Sequence, residues 1–159
     1  MSDRDSYSEE LRPILNQTRV EHEMLAYARD ALVGALEWQT AGDTFTRKLS
    51  TLRFALKTYH EHLERVLAIE ECDGYMLFIC EESPWLTERV DKLRAEHDEF
   101  RDEIKEVTTQ LERLMPTDHE SLRLVTEQIR GLLSELTAHS ERELALLQTA
   151  MNDDIGAAD

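Results

Sequence analysis

Residues 119–151 read HESLRLVTEQIRGLLSELTAHSERELALLQTAM. Within them Val125, Ile129, Leu132, Leu136, Leu146 and Leu147 recur at helical spacing, and about 100° of rotation per residue puts them on one face. His139 and Glu143 lie on the same face, four residues apart and therefore stacked across one turn. An imidazole and a carboxylate among hydrocarbon are costly unless they are paired or bound to something. The stretch predicts a long amphipathic helix and makes its two polar stripe residues the first candidates for chemistry.

The rest of the chain repeats the pattern. Leu11, Leu15, Leu25, Leu32 and Leu36 set an apolar stripe that includes His22. Leu86, Val90, Leu93, Phe100, Ile104 and Leu111 set another, with His97 in its middle. Helices are expected at about 8–40, 44–80, 85–115 and 119–151, with Pro13 near the start of the first. Gly42-Asp43-Thr44, Ser83-Pro84 and Pro116-Thr117-Asp118 separate them, and Asn152-Asp153-Asp154-Ile155-Gly156 closes the last. Asp118 and Ser121 are the candidate caps of the fourth. Helices of about 30 residues, each roughly 45 Å long and joined by short turns, must run antiparallel. The expected fold is all-α: an up-down-up-down four-helix bundle forming a single domain over 1–159.

Composition agrees. The chain is 41% hydrophobic with only five Gly and three Pro, too few for a turn-rich β protein. Acidic residues outnumber basic ones 34 to 18, a formal charge of −16, which argues against nucleic acid or an anionic membrane as partner and favours attraction of cations. Met1-Ser2-Asp3-Arg4-Asp5 leads into a polar stretch and no apolar run approaches the ~20 residues of a membrane span, so a cytoplasmic location is expected. Cys72 and Cys80 form no CxxC pattern and are expected as reduced thiols. No phosphate-binding loop or nucleophile–histidine–acid set is present, so hydrolase and kinase chemistry have no support and no catalytic residue is assigned.

A single buried histidine is ordinarily a core residue with a hydrogen-bond partner. Three on separate stripes, one accompanied by a Glu at i+4, point instead to shared metal ligation. On the second helix the reading divides. His60 and Glu64 have the i,i+4 spacing of a ligand pair, and His62 lies between them. The buried direction there is set by Leu52, Leu56, Tyr59, Leu63, Val66 and Leu67; Glu70 points along it, while Glu64 is rotated away by more than ~100°. Comparing the two helical hairpins also selects Glu70. His97 lies 42 and 46 residues before His139 and Glu143, and similar steps of 44 and 48 from His22 reach Val66 and Glu70. Tyr59, on the buried face, is a candidate to support the imidazoles.

These residues resemble the hemerythrin-like HHE cation-binding domains. Their pattern is a histidine on the first helix, His-x-x-x-Glu on the second, a histidine on the third and His-x-x-x-Glu on the fourth. His22, His97 and His139-Ser140-Glu141-Arg142-Glu143 match it. A bacterial subgroup is closer, with a second-helix signature like His-Phe-x-x-Glu-Glu-x-x-Gly-Tyr. That signature stands here as Val66-Leu67-Ala68-Ile69-Glu70-Glu71-Cys72-Asp73-Gly74-Tyr75. The likeness extends through Leu93-Arg94-Ala95-Glu96-His97 and Leu146-Leu147-Gln148 to Asp154-Ile155-Gly156.

The resemblance implies a non-haem iron centre of up to two ions, with histidines in terminal positions and the two carboxylates bridging. Its expected ligands here are His22, Glu70, His97, His139 and Glu143. Val66 stands where the family has a histidine and has no lone pair to donate. Three readings stay open: His62 reaches in from one turn earlier, His60 and Glu64 form the pair in a shifted register, or the site is reduced. The implied function is binding or sensing of dioxygen, nitric oxide or another small redox ligand, or iron handling, without enzymatic turnover. A metal-free bundle serving as an interaction module and an oxygen- or peroxide-dependent redox enzyme are the alternatives.

Overall fold

The computed structural model describes residues 3–38, 45–72 and 74–153. The expected break at Gly42-Asp43-Thr44, Asp73 and the tail Asp154-Ile155-Gly156 lie outside them. Four long helices pack as a bundle: α1 (Asp3–Glu37), α2 (Phe45–Cys72), α4 (Thr87–Arg113) and α5 (His119–Asp153). A short α3 (Tyr75–Glu82) and a 3-10 turn (Pro84–Leu86) lie between α2 and α4. No helix among the described residues is long and apolar enough to cross a membrane.

The expected continuous second helix over 44–80 is instead broken after Cys72. Its cause is Gly74, where the chain folds back onto the end of α2. A Cβ there would lie 2.7 Å from both the Glu70 Cα and the Ile69 carbonyl oxygen, closer than any side chain is accommodated. The sequence conceals the break because Tyr75, Met76, Phe78 and Ile79 continue an apolar run; all four are buried, but from a separate helix. The second expected boundary is present: Leu86 N–H donates to the Ser83 carbonyl at 2.9 Å, and Pro84 begins the turn. At the third, the Met115 N–H donates to the Asp118 carboxylate at 2.7 Å, and the Leu122 N–H to the Asp118 carbonyl at 2.9 Å, closing the first turn of α5. Arg53 of α2 donates to the carbonyls of Leu111, Glu112 and Leu114 at the end of α4, where carbonyls run out of helical donors. Pro13, expected near a helix start, is interior because α1 begins earlier.

Burial divides the interior into two apolar clusters. The larger includes Leu32, Leu52, Leu63, Phe100, Ile104, Ile129 and Leu136; the smaller joins Leu11, Met76, Ile79, Val90, Leu93 and Leu146. Leu15, expected on the buried stripe, is 36% exposed. Between the two clusters lies a layer of polar side chains.

Candidate metal centre

That layer is built by three helices. α2 delivers Glu70 from its last turn, α4 delivers His97 and α5 delivers His139 and Glu143. All four side chains are buried, and one donor atom from each lies within 4.8 Å of the others. The two imidazoles face each other, Nε2 to Nε2, at 2.9 Å. The Glu143 carboxylate lies 3.3 Å from His139 Nε2, and Glu70 Oε2 lies 3.5 Å from His97 Nε2. That Glu70 oxygen is buried and accepts no hydrogen bond among the described residues.

The other nitrogen of each ring is held from behind by a carboxylate. His97 Nδ1 lies 2.8 Å from Glu71 and His139 Nδ1 lies 2.6 Å from Glu96. An arginine anchors each carboxylate in turn. Arg101 donates to both Glu71 oxygens at 3.0 Å, and Arg142 donates to Glu96 at 2.8 and 3.2 Å. Burial alone would raise the Glu71 and Glu96 carboxyls, but Arg101 and Arg142, with the imidazoles, outweigh it and hold both below the ordinary range. Ionised carboxylates accept only, so both Nδ1 atoms carry the proton. Each ring is thereby oriented with Nε2 turned inward, toward the other ring and the carboxylates of Glu70 and Glu143.

Sequence reasoning gave Glu71 and Glu96 no role because both lie off the apolar stripes; the legible signal was an acidic residue directly beside a candidate ligand in each case. Glu96→Gln should weaken metal affinity by about tenfold, since outer partners of ligating histidines typically contribute 10–100-fold. Competition against a calibrated chelator measures this, with Glu99→Gln as control; equal affinity in both variants would mean that Glu96 does not orient His139.

Tyr75 supplies the hydroxyl expected of Tyr59. The turn at Gly74 brings it inward to donate to Glu143. Burial, then the charge of Glu143, pushes the Tyr75 phenol well above its usual value, so it remains a donor. Burial opposes ionisation of Glu143, but hydrogen bonds from His139, His97 and Tyr75 hold its carboxyl well below the ordinary range. Burial drives Glu70 the other way, with repulsion from Glu143 adding to it and His22 opposing. Tyr59 is buried and makes no hydrogen bond to either imidazole; burial pushes its phenol up to about 12, against the pull of the Arg29 charge.

The remaining expected residues are outside the four-residue cluster. His22, expected as buried, has a side chain 45% exposed and reaches Glu70 Oε1 at 2.9 Å through Nε2. His60 and Glu64 are 3.8 Å apart, and Glu64 also accepts from Arg101 at 3.3 Å, an outward pairing away from the imidazoles. His62 is half-buried, its Nδ1 without a partner among the described residues, and it does not join the cluster. Val66 is buried against the cavity that His22, Glu70, His139 and Glu143 also line. The register fixed by Glu70 therefore places a side chain without a donor where a further ligand would stand.

Two imidazole nitrogens 2.9 Å apart, with two carboxylates against them and one carboxylate oxygen unpartnered among the described residues, form a cluster of donor atoms able to hold a cation. Two imidazoles and two carboxylates suit iron or zinc. The HHE cation binding domain of the hemerythrin family matches residues 13–151. Comparison with curated proteins and with solved structures finds no match. With a bundle of four long helices and a buried His/Glu cluster at its waist, the chain belongs to the hemerythrin HHE cation-binding domain family.

Proposed function

We propose that the protein holds one non-haem iron ion per chain between Glu70, His97, His139 and Glu143, and that it binds or senses a small redox ligand such as dioxygen or nitric oxide there. The observation that carries this reading is the approach of the two imidazole Nε2 atoms, each fixed by a carboxylate at Nδ1. One ion is favoured over two because His22 reaches only Glu70 and Val66 offers nothing beside it. When bound, iron supplies a one-electron couple and a coordination position for a diatomic ligand. The chain's own contribution is to fix the ring tautomers through Glu71 and Glu96, to keep Glu143 ionised through Tyr75, and to surround the site with hydrocarbon above and below. The role proposed is binding and sensing rather than turnover.

The test is metal content and visible spectrum of purified protein, loaded with ferrous iron without air and then exposed to dioxygen or nitric oxide. About one iron per chain, matching the single four-donor set, and a ligand-dependent absorption change are expected. Folded, helical protein that takes up no metal overturns the reading. Val66→His should raise uptake toward about two ions, because an imidazole at that position faces the Glu70 side shared with His22. Unchanged stoichiometry in a folded variant would show that position 66 is not what limits the site.

A further inference from the structure

A cavity of about 190 Å³ opens beside the cluster, between α1, α2 and α5. His22, Glu70, His139 and Glu143 form its polar end, and Leu25, Leu63, Val66, Leu67 and Leu136 line its apolar flank. Drug-sized ligands occupy about 300–1,000 Å³. The space is smaller than that, yet generous for a diatomic molecule.

Two donors at this cavity are not used by the protein's own carboxylates. Tyr59 lines it, is 3% exposed, and its hydroxyl has no hydrogen-bond partner among the described residues. The hydroxyl oxygen is not among the fully buried atoms, so it is reachable from the cavity and free to donate to a ligand there. Arg29 also lines the cavity, and its charge acts on Tyr59. Arg29 donates to the Thr137 hydroxyl at 2.7 Å and pairs with no carboxylate among the described residues, although the chain carries 34 acidic residues. It also borders the outer groove between α1 and α5, so it stands where the cavity meets the surface.

We propose that this cavity binds a small organic monocarboxylate, with the carboxylate received by Arg29 and Tyr59 and the hydrocarbon body lying against Leu63, Val66 and Leu136. A guanidinium fork matches the two oxygens of a carboxylate, and the phenol adds a second donor. Glu70 and Glu143 repel a second anion from the deep end, which orients the ligand with its charged head outward and its hydrocarbon toward the cluster. The absence of an imidazole at position 66 is what leaves room for that body. The inference goes beyond the metal assignment and does not depend on it, because every contact is made by the chain itself.

Ligand-observed NMR and calorimetry with butyrate and benzoate test it, using n-butylamine as the oppositely charged control. Chelated and zinc-loaded protein are compared, with zinc content measured separately so that loss of metal and loss of ligand are read independently. Both forms should bind at least one of the carboxylates saturably and not the amine. Arg29→Gln should weaken binding at least tenfold, Tyr59→Phe several-fold, and Val66→Phe should abolish it by filling the space. Arg29→Gln decides the matter if the phenylalanine variant does not fold. No saturable binding overturns the proposal, as does binding confined to the zinc-loaded form or unchanged in Arg29→Gln. Those last results would mean direct ligation of the ion or adsorption elsewhere.

Discussion

His139→Ala is expected to remove most of the bound metal. The substitution deletes one of the two inward nitrogens, leaves Glu96 with no ring to orient, and takes from Glu143 the neighbour 3.3 Å away that fixes its oxygen. Three donors on three different helices remain, without the opposed pair that draws in a cation. Protein dialysed against ferrous iron or zinc and then assayed for metal gives the first readout. Thermal unfolding gives the second: a ligand at 100 times its Kd adds about 2.7 kcal/mol to wild-type stability, and the variant should gain almost nothing at the same concentration. The metal-free variant should stay helical, because the two apolar clusters on either side of the polar layer are untouched. Metal stoichiometry equal to wild type would refute the assignment of the site.

Gly74→Val is the second large effect and acts through the backbone. The first side-chain carbon would meet the Glu70 Cα and the Ile69 carbonyl at 2.7 Å and the Glu70 carbonyl at 2.9 Å. None of these atoms belongs to a flexible side chain, so α3 must move away from the end of α2. Overpacking of this kind costs about 1–3 kcal/mol, and occasionally more; a β-branched residue against backbone belongs at the upper end. Tyr75 follows directly, so its hydroxyl leaves Glu143 and metal affinity falls as well. Tyr75→Phe separates the two contributions: it should lower affinity while sparing most of the stability. A Gly74→Val protein as stable as wild type in urea would mean that the chain has another path around the end of α2.

The helices were legible because hydrocarbon at three- and four-residue spacing has few other uses, and the same stripes carried Glu70, His97, His139 and Glu143 to one level of the bundle. Choosing Glu70 over Glu64 needed only the helical wheel: the first faces the imidazoles, the second faces Arg101. His22 was misjudged in depth because periodicity gives the direction of a side chain but not how closely the neighbouring helix approaches. The break at Gly74 was hidden because an apolar run reads the same whether one helix continues or another begins. Tyr75, Glu71 and Glu96 escaped for a related reason. Their roles depend on which side chains a turn or a neighbouring helix brings alongside, and no single-helix periodicity contains that information.

Both imidazoles of the cluster are gripped within α2, α4 and α5, from arginine through carboxylate to ring, and α1 contributes only the half-exposed His22. Of the side-chain bonds from α1 among the described residues, His22 to Glu70 reaches the cluster, whereas Arg29 to Thr137 lies away from it. Within the described chain, the grip on the imidazoles is thus confined to three helices, while the fourth walls the cavity beside them.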